Sequence, residues 1–481
     1  MKSKGTTLED IYQSAQKDLS DNEKALIERA YDFAQNAHKD QKRNSGEPYF
    51  HHSVEVAKNC AYLGADATTI AGALLHDTLE DTSVSEKEIL EKFGEEVLFL
   101  VTGVTKLGKL KYQGVERHVE SMRKFFIALA EDVRVLIIKL ADRLHNVQTL
   151  EHVREDKQKR IAVETIEVYA PLAGRLGMGK LKGLLEDYAF PFAYKEKYLE
   201  TKVLMDKLVP EAQSLMEDVK KELTETLESF SIRSNIQARV KHVYSLHRKL
   251  VKYEMDEGKI HDIVALRVLV ENISDCYQVL GLIHMLWKPL PGRIKDWIAM
   301  PKPNGYKSLH TTVLTPKGVA EIQIRTYDMD NEAEIGIASH LLYKEQKVGT
   351  GLSQREQTSW LNQLKELSSL AQTPSDIAEL KLDFFQHQIF VFTPKGDVVD
   401  LPEDASPIDF AYAIHSDIGG HISGAKVNKK MVSIDTKLKN GDIVEITTSK
   451  NSHPTSKWLE HAKSSFAKRK IRAFLENQEN L

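Results

Sequence analysis

Residues 131–150, EDVRVLIIKLADRLHNVQTL, are apolar nearly all round a helix. Such a helix has no solvent face, so it predicts a central element of a helical domain. Its surroundings agree, since residues 20–190 read as helix after helix. Ser20 and Glu23 form a capping-box pattern, followed by Leu26, Ala30, Phe33 and Ala37 at helical spacing. Ser85 and Glu88 repeat the signal, and Gly94 predicts a stop. Asp142 interrupts the central apolar run, with Asn146 and Thr149 four and seven residues on. A buried carboxylate is costly unless a cation or donor meets it.

The segment AGALLHDTLEDT poses the same problem. Read as one helix, it puts Glu80 a turn beyond His76 and Asp81 a turn beyond Asp77. A satisfied polar pair in a helical bundle would account for a lone His-Asp dipeptide. His52, after the turn-like SGEPYF, together with His76, Asp77 and Asp142, makes a fuller set. Two imidazoles and two carboxylates suit a first-row divalent ion with water positions left open. The bound water would be the nucleophile on a phosphate ester, with Glu80 and Asp81 free to orient it or handle protons.

Beyond about residue 230 the texture changes to short β-branched segments alternating with helical stretches, QARVKHV, HDIVALRVLV, HTTVLT and VAEIQIRT. This predicts a mixed α/β domain over 196–345. Arg239 and Lys241 are two apart, Ser245 and Lys249 four apart on the following helix, and Arg293, Lys295, Lys302 and Lys307 cluster within one segment. With a net charge of −4 over 481 residues, that local cation excess points to polyphosphate. Glu321, Gln323 and Arg325 alternate with Ile322 and Ile324 and so share one strand face. Asp262 and Glu321 suit a Mg²⁺ held with the phosphates, and Tyr306 offers a stacking platform for a base. The competing reading is a half-buried sheet with a solvated charged face.

A polar linker is expected over 346–385, then a compact α+β module over 386–449 and a basic helical tail over 450–481 carrying Lys468, Arg469, Lys470 and Arg472, more often a solvated face than an RNA contact. The two cysteines, Cys60 and Cys276, form no CxxC pattern, which fits a reducing compartment. No apolar run suggests a signal peptide or a membrane span, and the expected location is cytoplasmic, away from membranes.

QKRNSGEPYFHHSVEVA, LLHDTLEDT, FGEEVLFLVTGVTKL and IKLADRLHNVQTL closely resemble the HD-type hydrolase domain of the RelA/SpoT (Rel) family, placed here at 1–195. RVKHVYSLHRK, HDIVALRV, GRIKDWIAMPKPNGYKSLHTTV and EIQIRT…AEIGIASHLLYK resemble its synthetase domain, and IFVFTPKGDVVDLP with LKNGDIVEITTS resembles a ubiquitin-like TGS domain. The resemblance implies an all-α hydrolase domain, a nucleotidyltransferase-like synthetase domain with a mixed sheet, and a small α+β module.

It also implies two opposed activities on one alarmone. One is Mn²⁺-dependent removal of the 3′-pyrophosphate of guanosine tetra- and pentaphosphate, with metal on His52, His76, Asp77 and Asp142. Glu80 and Asp81 match the catalytic pair, and Arg43, Asn146 and Thr149 match positions that hold the nucleotide. The other is Mg²⁺-dependent transfer of pyrophosphate from ATP to the 3′-hydroxyl of GDP or GTP. Arg239, Lys241, Lys249, Arg325, His340 and Lys344 would serve ATP, Asp262 and Glu321 the Mg²⁺, and Glu321 would also activate the hydroxyl. Tyr306 would stack on guanine, with Lys302 and Asn304 nearby. The run Arg293–Asp296, RIKD, resembles the form of bifunctional members.

Several positions depart from the family's pattern. Ser53 replaces a frequent proline, and two histidines in a row make His51 a rival to His52, which is chosen on the motif's frame. Asn44 stands where a basic residue is common and predicts a looser grip on the nucleotide. Asp330 and Leu341 stand where histidine and tryptophan are usual and predict lower synthetase activity. The TGS resemblance implies contact with uncharged tRNA on the ribosome, nearest His415 and His421, or else an internal regulatory module. The chain is expected to be a short form or a truncated piece, ending after this module. Two alternatives stand beside the bifunctional enzyme: a hydrolase with a weak or regulatory synthetase domain, and a ribosome- or tRNA-binding starvation sensor.

Overall fold

The computed structural model describes residues 6–108, 132–256, 260, 263–302, 304–336, 388–439 and 441–479. They fall into two compact units, residues 6–108 with 132–336, and residues 388–479.

The first unit begins as a helical domain. The helix Asp21–Ala37 starts on the expected box: Ser20 N–H donates to Glu23 Oε2 (2.8 Å) and Glu23 N–H to Ser20 Oγ (3.4 Å). The central run forms the helix Val133–Gln148, where Ile137, Ile138, Leu140 and Ala141 are wholly buried. It packs against the helices Phe50–Tyr62, Glu86–Gly108 and Gly179–Ala193. The stop expected at Gly94 is instead a kink. Gly94 takes φ +84°, and the chain then resumes its helix to Gly108. It resumes because Val97, Leu100, Val101 and Val104 again offer an apolar stripe to the core.

A long helix, Lys195–Ser229, leads into a six-stranded mixed sheet. Its strands are β1 (Ser234–Val240), β2 (Val264–Val270), β3 (Lys288–Pro289), β4 (Lys295–Asp296), β5 (Leu309–Thr315) and β6 (Gly318–Thr326). The order is β1-β2-β6-β5-β3, with β4 on β5; β2 and β6 run parallel and the other pairs antiparallel. Alternation sorts the two faces. Leu266, Val268, Ile322, Ile324, Leu309 and Val313 join the core beneath the helices Lys195–Ser229 and Ile273–Leu286. The register puts Arg239, Arg267, Glu321, Gln323, Arg325, His310 and Lys295 on the opposite face.

The helical domain and the sheet meet closely. Asp187 Oδ2 lies 2.7 Å from His242 Nδ1, and Asn304 Nδ2 donates to Gly174 O (3.3 Å). Gly336 ends the helix Tyr327–Ile335 at φ +59°, and a Cβ there would stand 2.1 Å from Leu176 O. Only glycine satisfies both conditions.

The second unit holds a hairpin, Gln388–Phe392 with Val398–Pro402, and a three-stranded sheet. Its helix Pro407–Ile414 carries the buried Asp409, whose Oδ1 accepts from Lys463 N–H (2.8 Å) and Ser464 N–H (2.7 Å). This ties the turn before the tail helix Ser465–Glu479 to the module. The tail's basic residues are not the solvated face expected: Lys470 is exposed, whereas Lys468, Arg469 and Arg472 are half-buried. Among the described residues, no helix is long and apolar enough to cross a membrane.

Candidate functional site

The central helix brings Asp142 to the buried side chains of His52 and His76. One ligand atom from each of these three lies within 4.8 Å of the others. His52 Nε2 stands 3.2 Å from Asp142 Oδ1 and 3.6 Å from Asp77 Oδ2, and His76 Nε2 stands 3.1 Å from Asp77 Oδ2. His51, the rival ligand, is half-buried and lies outside this group.

The segment AGALLHDTLEDT is not one helix. The helix Ala67–Leu75 ends before His76, and a short helix, Thr78–Asp81, starts after Asp77. Side chains take the carbonyls that a continuous helix would use, with His76 Nδ1 on Ala73 O (2.7 Å) and the Thr78 hydroxyl donating to Leu75 O (2.6 Å). The corner turns both His76 and Asp77 toward the cluster. Glu80 and Asp81 are exposed at its rim. They are therefore not desolvated acids in need of a counter-charge; that need belongs to Asp142 and Asp77.

The electrostatics follow from burial. Desolvation lowers the pKa of His52 and keeps it neutral. His76 feels the same penalty, but the neighbouring Asp77 carboxylate and Asp142 outweigh it and hold the ring up at about 8. Asp142 stays ionised well below the usual carboxylate range against the cost of burial, held there by Lys139 and the two imidazoles. Asp77 is depressed likewise by His76 and His52.

His76 Nε2 is buried and makes no aligned hydrogen bond, since Asp77 Oδ2 stands at ion-pair distance (3.1 Å) but out of line. A neutral His52 offers a lone pair or one proton where two carboxylates converge. Ligand atoms this close around an orphaned nitrogen fit a divalent cation between them.

Three residues that the sequence reading did not single out complete the cluster. Lys139, three before Asp142 on the helix, donates from Nζ to Asp142 Oδ2 (2.7 Å). The Tyr49 hydroxyl lies 2.7 Å from Asp77 Oδ2 and 2.8 Å from Asp81 Oδ2. Burial and these two carboxylates push its pKa far up, so it remains a donor. His145 faces His52, with Nδ1 atoms 2.7 Å apart; burial, His52 and Arg43 depress it to about 3. Arg43 Nη2 donates to Asn146 Oδ1 (2.6 Å) and Nη1 to Thr149 Oγ1 (3.1 Å), so the three expected nucleotide contacts form one network. Asn146 Nδ2 donates on to Asp142 Oδ1 (2.6 Å).

A second polar constellation lies on the sheet face opposite the apolar core. Glu321 accepts from Gln323 Nε2 (3.2 Å). Arg325 is buried, with Nε 3.0 Å from Asp330 Oδ1; the same oxygen lies 2.9 Å from Nη1 of the buried Arg267. These are ion-pair distances out of line for hydrogen bonding, and Arg325 Nε and Asp330 Oδ1 have no hydrogen-bond partner. The Tyr306 hydroxyl is 2.8 Å from His310 Nε2, and Lys302 Nζ sits 5.0 Å from the Tyr306 ring centre. Burial first, then Lys295 and Lys182, lower Lys302 to about 8.

Lys241 follows β1 directly and donates its N–H to Ile263 O (2.8 Å). Ser245 and Lys249 lie on the helix Val243–Lys252, and Arg293 and Lys295 are exposed. Asn304 is exposed and accepts from Tyr306 N–H on Oδ1 (3.3 Å). Asp262, His340, Leu341 and Lys344 lie outside the described residues, so the expected Asp262–Glu321 pair has no measured geometry.

Three stretches match family descriptions: residues 30–179 an HD domain, 238–348 a region found in RelA/SpoT proteins, and 389–448 a TGS domain. The chain is 46% identical over 460 residues to a guanosine-3′,5′-bis(diphosphate) 3′-pyrophosphohydrolase of Aquifex aeolicus, covering 94% of this chain and 65% of that one. It is 45% identical over 460 residues to a GTP pyrophosphokinase of Myxococcus xanthus, covering 94% and 61%, and 43% identical over 471 residues to one of Streptomyces coelicolor, covering 94% and 56%. The chain thus spans less than two thirds of the length of these relatives.

Proposed function

Since this chain belongs to the RelA/SpoT family, carrying its HD, RelA/SpoT and TGS regions in order, we propose that it both degrades and makes guanosine tetra- and pentaphosphate. The observation that carries the degradative half is the convergence of His52, His76, Asp77 and Asp142 around the orphaned His76 Nε2.

In this reading the four side chains hold Mn²⁺, which when bound supplies a water of lowered pKa and polarises the phosphate. The chain's own residues do the rest. Asp81, steadied by Tyr49, and Glu80 stand at the rim to receive the water's proton. Arg43, braced by Asn146 and Thr149, meets the nucleotide's phosphates. Water adds to the 3′-pyrophosphoryl group, the bond to the 3′-oxygen breaks, and GDP or GTP leaves with pyrophosphate.

On the sheet face, Glu321 takes the proton of the acceptor's 3′-hydroxyl as that oxygen attacks the β-phosphorus of ATP and AMP departs. Arg239, Lys241, Ser245, Lys249, Arg293, Lys295 and Arg325, with Gln323, His340 and Lys344, meet the phosphates. Tyr306 stacks on guanine beside Lys302 and Asn304. Mg²⁺ on Asp262 and Glu321 would offset the phosphate charge. The domain limits we assign are 1–195, 196–345 and 386–449, and the TGS module is the part suited to uncharged tRNA on a cytoplasmic ribosome.

Both activities are measured on one preparation of the purified chain, as pyrophosphate released from guanosine tetraphosphate with Mn²⁺ and as tetraphosphate formed from ATP and GDP with Mg²⁺. Both products are expected. Absence of metal-dependent release overturns the degradative assignment. A hydrolase with a weak synthetase domain is the second reading, favoured by the pairing of Arg325 with Asp330, and abundant tetraphosphate removes it.

A further inference from the structure

We propose that His145 is a positioning residue for the metal site: it holds His52 in the tautomer that presents Nε2 to the cation. The inference rests on the metal reading above and adds a residue with no assigned role.

A guanidinium has only donors. Arg43 Nη1 lies 3.1 Å from His145 Nδ1, so that nitrogen is the acceptor and carries no proton. His52 Nδ1 lies 2.7 Å from the same atom. Two lone pairs would repel at that distance, so His52 Nδ1 carries the hydrogen and donates it. A neutral imidazole protonated on Nδ1 has its lone pair on Nε2. That is the atom 3.2 Å from Asp142 Oδ1 and 3.6 Å from Asp77 Oδ2.

The arrangement is held on both sides. Arg43 is fixed by Thr149 Oγ1 (3.1 Å) and Asn146 Oδ1 (2.6 Å), and the His52 and His145 rings lie 4.9 Å apart at 34°. Asn146 in turn donates to Asp142 Oδ1 (2.6 Å). One guanidinium therefore anchors two expected ligands, His52 through His145 and Asp142 through Asn146. His145 follows Asp142 by three residues, so the helix that supplies one ligand also orients the ligand from the helix Phe50–Tyr62. Partners of this kind set ring orientation and ligand basicity in metal sites.

The test compares wild type, His145→Leu and His145→Asn as full chains. Asparagine can place a carbonyl oxygen where Nδ1 stands; leucine offers no acceptor. Mn²⁺ binding is followed by EPR titration, and the His52 tautomer by ¹H–¹⁵N correlation in the metal-free protein.

Leucine is expected to weaken Mn²⁺ binding about 10- to 100-fold and to shift His52 toward the Nε2-protonated tautomer. Asparagine is expected to restore most of the affinity. Should the leucine chain not fold, His145→Gln replaces it, since its carbonyl falls at the wrong ring position. Wild-type affinity in the leucine or glutamine variant, an unchanged tautomer, or failure of asparagine to rescue overturns the proposal. A wild-type chain that binds no Mn²⁺ removes the metal reading itself, and is recognised before any variant is compared.

Discussion

The hydroxyl of Tyr49 stands 2.7 Å from Oδ2 of Asp77. With Asp81 Oδ2 at 2.8 Å on its other side, one hydroxyl proton is shared between a metal-ligand candidate and a rim acid. Tyr49 also stacks on His38, with ring centres 4.9 Å apart, so its position is set by packing as well as by charge.

Removing that hydroxyl should leave the fold intact and misplace the acids. A hydrogen bond to a charged group contributes about 1.5–3 kcal/mol, so Tyr49→Phe is expected to slow hydrolysis roughly 10- to 100-fold. Synthesis from ATP and GDP should be unchanged. Hydrolysis at the wild-type rate would show that the hydroxyl does not position the acids.

Lys139 and Asp142 form a second buried relationship, with Nζ and Oδ2 2.7 Å apart. Deleting one partner of a buried pair typically costs about 3–5 kcal/mol because the other charge is stranded. Lys139→Met should therefore lower the melting temperature of the metal-free chain, and saturating Mn²⁺ should recover much of the loss by supplying a new counter-charge. Equal melting of the two metal-free proteins would rule out this role for the pair.

What could be read ahead of the structure was local. The capping box at Ser20, the i+4 contact of Asn146 with Asp142 and the shared face of Glu321, Gln323 and Arg325 all follow from helical or strand period. Contacts made by folding were out of reach: 28 residues separate Tyr49 from Asp77, and 93 separate His52 from His145. The break at His76–Asp77 was hidden because no glycine or proline marks it; side-chain bonds to Ala73 and Leu75 carbonyls make the corner. Lys139 was within reach, since a cation three residues before a buried acid on one helix is a readable pair.

Lys302 gives the sheet site a pH dependence. Its folded pKa is lowered to about 8, by burial first and by Lys295 and Lys182 next. Below that value the ammonium beside Tyr306 is already charged and attracts the anionic nucleotide; above it, a proton must be taken up on binding. GDP affinity is thus expected to fall by up to about tenfold per unit as pH rises past 8. Lys302→Arg should flatten the slope. The effect of Lys302 on folding has the opposite sign, because between about 8 and 10.5 the unfolded chain holds the extra proton and stability rises with pH. Calorimetric GDP titrations at pH 7, 8 and 9 (about one unit apart) decide the matter, and a flat profile in the wild type counts against it.

Asp330 Oδ1 lies 3.0 Å from Arg325 Nε and 2.9 Å from Arg267 Nη1, and it draws on two buried guanidinium charges at once. Arg267 also donates to Glu334 Oε1 (3.0 Å), so it keeps a counter-charge if Asp330 is neutralised; Arg325 does not share that second contact. Asp330→Asn preserves size and removes charge. The freed charge on Arg325 should strengthen its pull on a triphosphate, lowering the KM for ATP severalfold, while the melting temperature falls because a buried pair is broken. Hydrolysis of guanosine tetraphosphate should not change. A raised KM for ATP would mean that Asp330 orients Arg325 for its phosphate contact, and would turn this departure from the family's histidine into a substitute for it.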